Sequence, residues 1–180
     1  LHPEVAAAMQ PWSTNRFGNP SAQYEAGRLA AAAVEEARAA TAAVLNCRPA
    51  EVIFTSGGSE SINAALKGIA FAQRFAGLGS HLVVSTVEHH AVLYTCQYLE
   101  KFGFETAYVE VDRYGRVDPD RVAAAVGPQT VLVSVMLANN EVGTVEPVRD
   151  IVRAVRARGA TLGTSVAVHT DSVQAPLWLP

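Results

Sequence analysis

An α/β architecture, a mostly parallel sheet flanked by helices, is what this sequence predicts, and two observations carry the prediction. After a turn-rich stretch from Asn15 to Ser21, apolar runs of strand length alternate with longer stretches of helical periodicity down the chain. The polar residues able to do chemistry fall just after the strand-like runs. In a parallel sheet those are the ends that line up along one edge, where ligands sit.

The elements follow in order. Helices are expected near 25–46, 60–76, 90–102, 118–126 and 147–158, and strands near 51–55, 81–86, 105–111, 130–136 and 166–170. The first helix is rich in alanine but interrupted by Arg28, Glu35, Glu36 and Arg38, so it reads as amphipathic and not as a membrane span. Val52 to Thr55 reads as a buried strand, and Ile62, Leu66, Ile69 and Ala70 repeat at helical spacing after it. Arg113-Tyr114-Gly115-Arg116 makes a turn, after which Asp118-Pro119 starts a helix with an N-cap and a proline at its first position. Arg149, Arg153, Arg156 and Arg158 share a helix and read as its solvated face, not as a nucleic-acid surface. No internal repeat or low-complexity linker interrupts the chain, so a single α/β domain over 1–180 is expected.

Composition narrows the class. With 180 residues, 49% hydrophobic and 17% charged, the chain suits a globular domain with a substantial core. A net charge of −3 and the lack of a dense basic cluster argue against nucleic acid and membrane as partners. Cys47 and Cys96 form no Cys-x-x-Cys pair, which argues against a metal site or a disulfide scaffold and suggests a reducing, cytoplasmic setting. A start at Leu1 without methionine, and an end just after a strand-like segment, read as a chain trimmed at both ends.

The chemistry begins at Glu51-Val52-Ile53-Phe54-Thr55-Ser56-Gly57-Gly58-Ser59-Glu60-Ser61-Ile62-Asn63, a strand–turn–helix with two glycines and a hydroxyl where the helix begins. Small residues and the free N–H groups of a first helical turn suit a phosphate monoester, although the same residues also make an ordinary capped junction. A Walker loop is excluded because the nearest lysine, Lys67, lies two helical turns too late, and the three-glycine dinucleotide fingerprint is absent. The later strand ends deliver Glu88, His89 and His90, then Asn139, Asn140 and Glu141, then Asp171 and Gln174. Each has a purely structural alternative. His89 is also placed to neighbour an N-cap, leaving His90 as the ligand-facing imidazole; the two asparagines suit a turn; Asp171 suits a short helix cap. Convergence of all four kinds of group on one edge favours a site.

These motifs resemble those of the pyridoxal-phosphate cysteine desulfurases of the NifS/IscS kind, within the class V aminotransferase group. Gly18-Asn19-Pro20-Ser21, Thr55 to Asn63, Glu88-His89-x-Ala91-Val92, Asn139-Asn140-Glu141-Val142-Gly143 and Asp171-x-x-Gln174 stand in that family's order, over nearly the whole chain. The resemblance implies part of the large domain of the aspartate aminotransferase-like fold. It implies that Gly58 and Ser59 hold the cofactor phosphate, that His89 stacks on the pyridine ring and helps move protons, and that Asp171 pairs with the ring nitrogen. Gln174 would donate to the phenolic oxygen, and Asn140, preferred to Asn139, would contact that oxygen or the substrate carboxylate.

The activity implied is removal of sulfur from L-cysteine, giving L-alanine and an enzyme persulfide for iron–sulfur cluster, thio-cofactor or thiolated-tRNA biosynthesis. A homodimer and a sulfur-acceptor protein are the implied partners. Two parts of the family's machinery lack a counterpart in this sequence. The Schiff-base lysine belongs to a Ser-x-His-Lys segment beyond the position of Gln174, whereas the lysines here are Lys67 and Lys101; the persulfide cysteine belongs to a downstream loop, whereas Cys96 and Cys47 sit in or beside helices. The 180-residue chain by itself is therefore expected to be inactive, and to self-associate through Leu177, Trp178 and Leu179. The stretch from Gly159 to Asp171 is longer than the family's usual link and suggests a bulge or loop before the last strand. Competing readings are another class V enzyme, such as a selenocysteine lyase or an aminotransferase, or a non-catalytic dimerisation or scaffold module.

Overall fold

The computed structural model describes residues 1–176 and divides into two compact units, Leu1–Phe54 and Thr55–Pro180. No linker composition marks the boundary at Phe54, so packing alone reveals it. Residues 177–180, and with them the expected exposure of Leu177, Trp178 and Leu179, lie outside the described residues.

The first unit opens with a helix the sequence analysis did not anticipate, α1 (Pro3–Thr14). Pro3 at its start and Glu4 in its first turn suit a helix N-terminus, but none of its side chains is buried, so no apolar stripe announces it. The connection to α2 (Glu25–Val44) is tight. A Cβ on Gly18 would lie 2.4 Å from Ala26 O, and one on Gly27 would lie 2.5 Å from Ala22 O, so glycine is required where these backbones cross. The Asn19 side chain accepts the Ser21 N–H at 2.9 Å and closes the turn.

The predicted strand at 51–55 is not formed. Pro49–Glu51 is instead a 3-10 turn, locked by Glu51 accepting the Arg48 N–H at 2.8 Å, and the residues after it are extended without strand pairing. Arg38 donates to Val52 O at 2.5 Å, and its guanidinium lies 5.1 Å from the Phe54 ring centroid, so side chains hold this segment. The apolar run had the right composition, but a strand needs a neighbour for its N–H and C=O groups, and the described residues supply none. Ile53 is accordingly 82% exposed, not buried.

The second unit is a parallel sheet between two helical layers. In chain order it contains α3 (Gly58–Phe75), β1 (His81–Ser85), α4 (His90–Glu100), β2 (Glu105–Val109), α5 (Pro119–Ala125), β3 (Thr130–Ser134), α6 (Val148–Leu162) and β4 (Ala167–His169). Asp118 caps α5 by accepting the Asp120 N–H at 2.9 Å, with Pro119 at the first position as expected. Side chains alternate across the sheet. Leu82, Val84 and Leu132 pack with Ile62, Leu66, Val92 and Leu99 of α3 and α4, while Val83 and Val133 pack with Val122, Ile151 and Val155 of α5 and α6. Helix α6 runs one turn past its predicted end, to a left-handed Gly163 at φ +67°. The stretch between Gly159 and Asp171 is thus shared between the last turn of α6, an irregular connection over 163–166 that fits the expected loop, and β4.

All strand pairs are parallel, in the order β2-β1-β3-β4. The connection through α4 steps from β1 to one side, and the connection through α5 passes back over β1 to reach β3. Between β1 and β3 the winding reverses, and beyond their carboxyl ends the two loops part and leave a crevice. Polar residues that follow the strands in the sequence lie at that crevice.

Candidate active site

A cavity of about 220 Å³ lies at that switch point. Gly58, Ser59, His89, Asn140, Asp171 and Gln174 all line it, joined by the apolar side chains of Ile62, Met136, Ala138 and Val173. Every site residue predicted from the sequence therefore borders one space within the second unit.

Each is delivered by a local rule. Gly58 and Ser59 open α3, where Gly57 supplies no side-chain cap, so the first N–H groups of the helix have no intrahelical partner. Glu60 turns the other way and accepts the N–H and hydroxyl of Ser56, both at 2.6 Å, which holds its carboxyl below the usual range. Of the glycine pair, only Gly58 sits at a close approach: a Cβ there would come within 2.8 Å of Val173 Cγ2, while one on Gly57 meets open space.

His89 is both an N-cap and a cavity residue. Its Nδ1 accepts the Ala91 N–H at 3.1 Å, which in the neutral ring leaves the proton on Nε2. His90 does not line this cavity; its ring lies 5.2 Å from that of Tyr94 on α4. The asparagines divide in the same way. Asn139 is structural, with Oδ1 accepting the N–H groups of Glu141 and Val142 at 2.9 Å and Nδ2 reaching Val87 O at 3.0 Å. Asn140, beside it, lines the cavity. Asp171 is 8% exposed; one oxygen accepts the Val173 N–H at 3.0 Å, and its backbone O accepts the Leu137 N–H at 2.8 Å.

Glu88, just past β1, has no role implied by the sequence motifs but a distinct environment in the fold. Glu88 is 5% exposed, and its Oε1 accepts both the Ser85 hydroxyl at 2.6 Å and the Met136 N–H at 2.7 Å. Burial pushes its carboxyl up to about 7 against the pull of those two bonds, and Asp171 and Glu146 add a smaller upward push. A carboxyl raised in the folded state destabilises the fold only when ionised. The contribution of Glu88 is then complete at and below pH 4.5, is lost as pH rises from there through about 7, and levels off above it, by on the order of 3 kcal/mol. His169, whose pKa is lowered by burial, works the opposite way and loses stability as pH falls below the ordinary histidine range. Urea unfolding between pH 5 and pH 8 should therefore show a less negative slope against pH for Glu88→Gln than for the parent. Equal slopes would count against a neutralised Glu88.

Cys96, the cysteine of the second unit, does not line the cavity. Cys96 is buried in α4, with its thiol pushed by burial up to about 12, and Cys47 follows α2 in the first unit. Among the described residues no helix is long and apolar enough to cross a membrane, and no group of three or more His, Cys, Asp or Glu is arranged to hold a metal ion.

The aminotransferase class-V profile matches residues 1–177. The chain belongs to the aminotransferase class-V family. It is 46% identical over 172 residues to the cysteine desulfurase IscS of Methanosarcina thermophila, covering 96% of this chain and 41% of that one. Among solved structures it superposes on a NifS-like protein with a TM-score of 0.90 at 37% identity, over 97% of this chain and 46% of the other. It superposes on SspA in complex with cysteine with a TM-score of 0.89 at 35% identity, over 97% and 48%. The chain thus spans less than half the length of the curated relatives it matches.

The donor set fits pyridoxal phosphate. A helix N-terminus with Gly58 and Ser59 suits the phosphate, a buried carboxylate suits a protonated ring nitrogen, and an imidazole and two amides surround the same cavity. An anion cradle and a cation partner lining the same cavity match a ligand that carries both charges.

Proposed function

We propose that this chain is the cofactor-binding part of a pyridoxal-phosphate-dependent cysteine desulfurase, which converts L-cysteine to L-alanine and an enzyme persulfide. The observation that carries the reading is the convergence of Gly58, Ser59, His89, Asn140, Asp171 and Gln174 on one cavity at the reversal of the sheet, in a class-V chain 46% identical to an IscS. The protein would work in the cytoplasm as a homodimer and pass sulfur to an acceptor protein for iron–sulfur cluster, thio-cofactor or tRNA-thiolation chemistry.

When bound, the cofactor supplies an electron sink beside the substrate's α-carbon. The chain supplies the rest. The N–H groups at the start of α3 and the Ser59 hydroxyl bind the phosphate dianion with the positive end of the helix dipole behind them. The Asp171 carboxylate, held by the Val173 N–H, keeps the proton on the ring nitrogen. Gln174 and Asn140 donate to oxygen atoms and orient the ring and the substrate carboxylate. His89 would lie against the bound ring, and because Ala91 N occupies Nδ1, its Nε2 would be the atom that moves a proton.

Ser59→Ala in the intact protein should weaken pyridoxal phosphate binding by about 1–3 kcal/mol, the range for losing a hydrogen bond to a charged group. Equilibrium titration followed by absorbance measures it. Undiminished affinity would remove Ser59 from the cradle.

A further inference from the structure

Strand β1 ends at Ser85, and its last ladder bond to β2 is from Thr86 N to Val109 O at 3.0 Å. On the other side of β1, strand β3 runs on into the site. Val135 N donates to His169 O at 3.2 Å and Leu137 N to Asp171 O at 2.8 Å, both toward β4. In a parallel ladder alternate N–H groups face opposite neighbours, so the intervening Met136 N–H faces the side where β1 has already left the sheet. A buried N–H without an acceptor is costly, and Met136 is buried.

Glu88 supplies the acceptor. Its Oε1 takes the Met136 N–H at 2.7 Å while also holding the hydroxyl of Ser85, the last residue of β1, at 2.6 Å. A side-chain oxygen thus occupies the place of the next β1 carbonyl and adds one rung to the β1–β3 ladder after the backbone has departed. The same two loops are tied once more where Asn139 Nδ2 reaches Val87 O at 3.0 Å. Oε2 has no hydrogen-bond partner, so one oxygen does all the bridging.

We infer that Glu88 is a positioning residue: as a side-chain rung between β1 and β3, it sets the spacing of the two loops that carry His89 and Asn140 to the cavity. His89 is its immediate neighbour, and Met136, whose N–H it holds, lines the cavity itself. The role needs an acceptor at Oε1 and not a charge, which separates it from any function as a proton donor or counter-ion. The link from loop spacing to the cofactor rests on the function proposed above; the rung itself does not.

The test compares Glu88→Gln, which keeps an acceptor oxygen and loses the charge, with Glu88→Leu, which fills similar volume without an acceptor, both in the intact protein. Backbone amide exchange over 135–142 is measured without cofactor, with α6 as the internal reference. Pyridoxal phosphate affinity and the visible circular dichroism of the bound cofactor are measured separately. Glu88→Gln should stay within about threefold of the parent in loop exchange and affinity. Glu88→Leu should exchange about tenfold faster or more over 135–142 at unchanged α6 exchange, bind the cofactor about tenfold more weakly, and change the dichroism. Parent-like loop exchange in Glu88→Leu would overturn the rung, as would a Glu88→Gln variant as defective as Glu88→Leu. If Glu88→Leu does not fold, Glu88→Gln decides alone: parent-like exchange and dichroism support the rung, and tenfold faster loop exchange overturns it. A parent that does not bind pyridoxal phosphate would sink the cofactor reading and leave the exchange comparison to judge the rung.

Discussion

Asp171→Ala in the intact protein is expected to lower turnover by roughly 10²–10⁴-fold, the range associated with a positioned group that controls a proton in the transition state. Its effect on folding should be far smaller. The side chain gives the fold one hydrogen bond, from Val173 N at 3.0 Å, and losing such a bond costs about 0.5–1.5 kcal/mol. Asp171→Asn separates the two contributions, because the amide oxygen still accepts from Val173 N but carries no charge for a pyridinium. The asparagine variant should fold like the parent and be nearly as inactive as the alanine variant. Activity within a few-fold of the parent, in a folded Asp171→Ala protein, would show that the carboxylate is only a turn cap.

The second large effect concerns the 180-residue chain by itself. Incubated with cysteine, pyridoxal phosphate and a reductant, it is expected to release no sulfide or alanine above the cofactor-only background. Lys67 is committed elsewhere, with its Nζ 4.3 Å from the Tyr98 ring centroid. Lys101 caps the far end of α4 from His89, about 18 Å away along the helix axis. No lysine therefore borders the cavity to hold the cofactor covalently. Cys96, with its thiol pushed up to about 12, offers no thiolate at neutral pH. Equal, catalytic release of sulfide and alanine would show that neither a cavity lysine nor a mobile cysteine is needed.

Most elements were legible because each was dictated locally. The helical repeat Ile62, Leu66 and Ala70 faces the core as its spacing required, and Asp118-Pro119 caps α5 as its chemistry required. Helix α1 was missed because none of its side chains is buried, so there was no apolar stripe to find. The segment at 51–55 misled for the opposite reason: its apolar run satisfied the strand pattern, but pairing depends on a neighbour that composition does not specify. Likewise, the choices of His89 over His90 and of Asn140 over Asn139 lay beyond the residues read alone, since both members of each pair have the same chemistry. The family resemblance chose His89 and Asn140, and these are the members that border the cavity.

The sequence by itself determined which groups are available and their order along the chain: a small-residue turn opening a helix, then an imidazole, an amide and a carboxylate, each of these three following a strand. Those are local properties of residue type and period. Only the tertiary structure decided that the winding reverses between β1 and β3, so that these ends surround one cavity, and that Glu88 bridges the strands where the backbone ladder stops. Strand order and a shared hydrogen bond across 48 positions arise from contacts between segments remote in sequence, and no local window contains them.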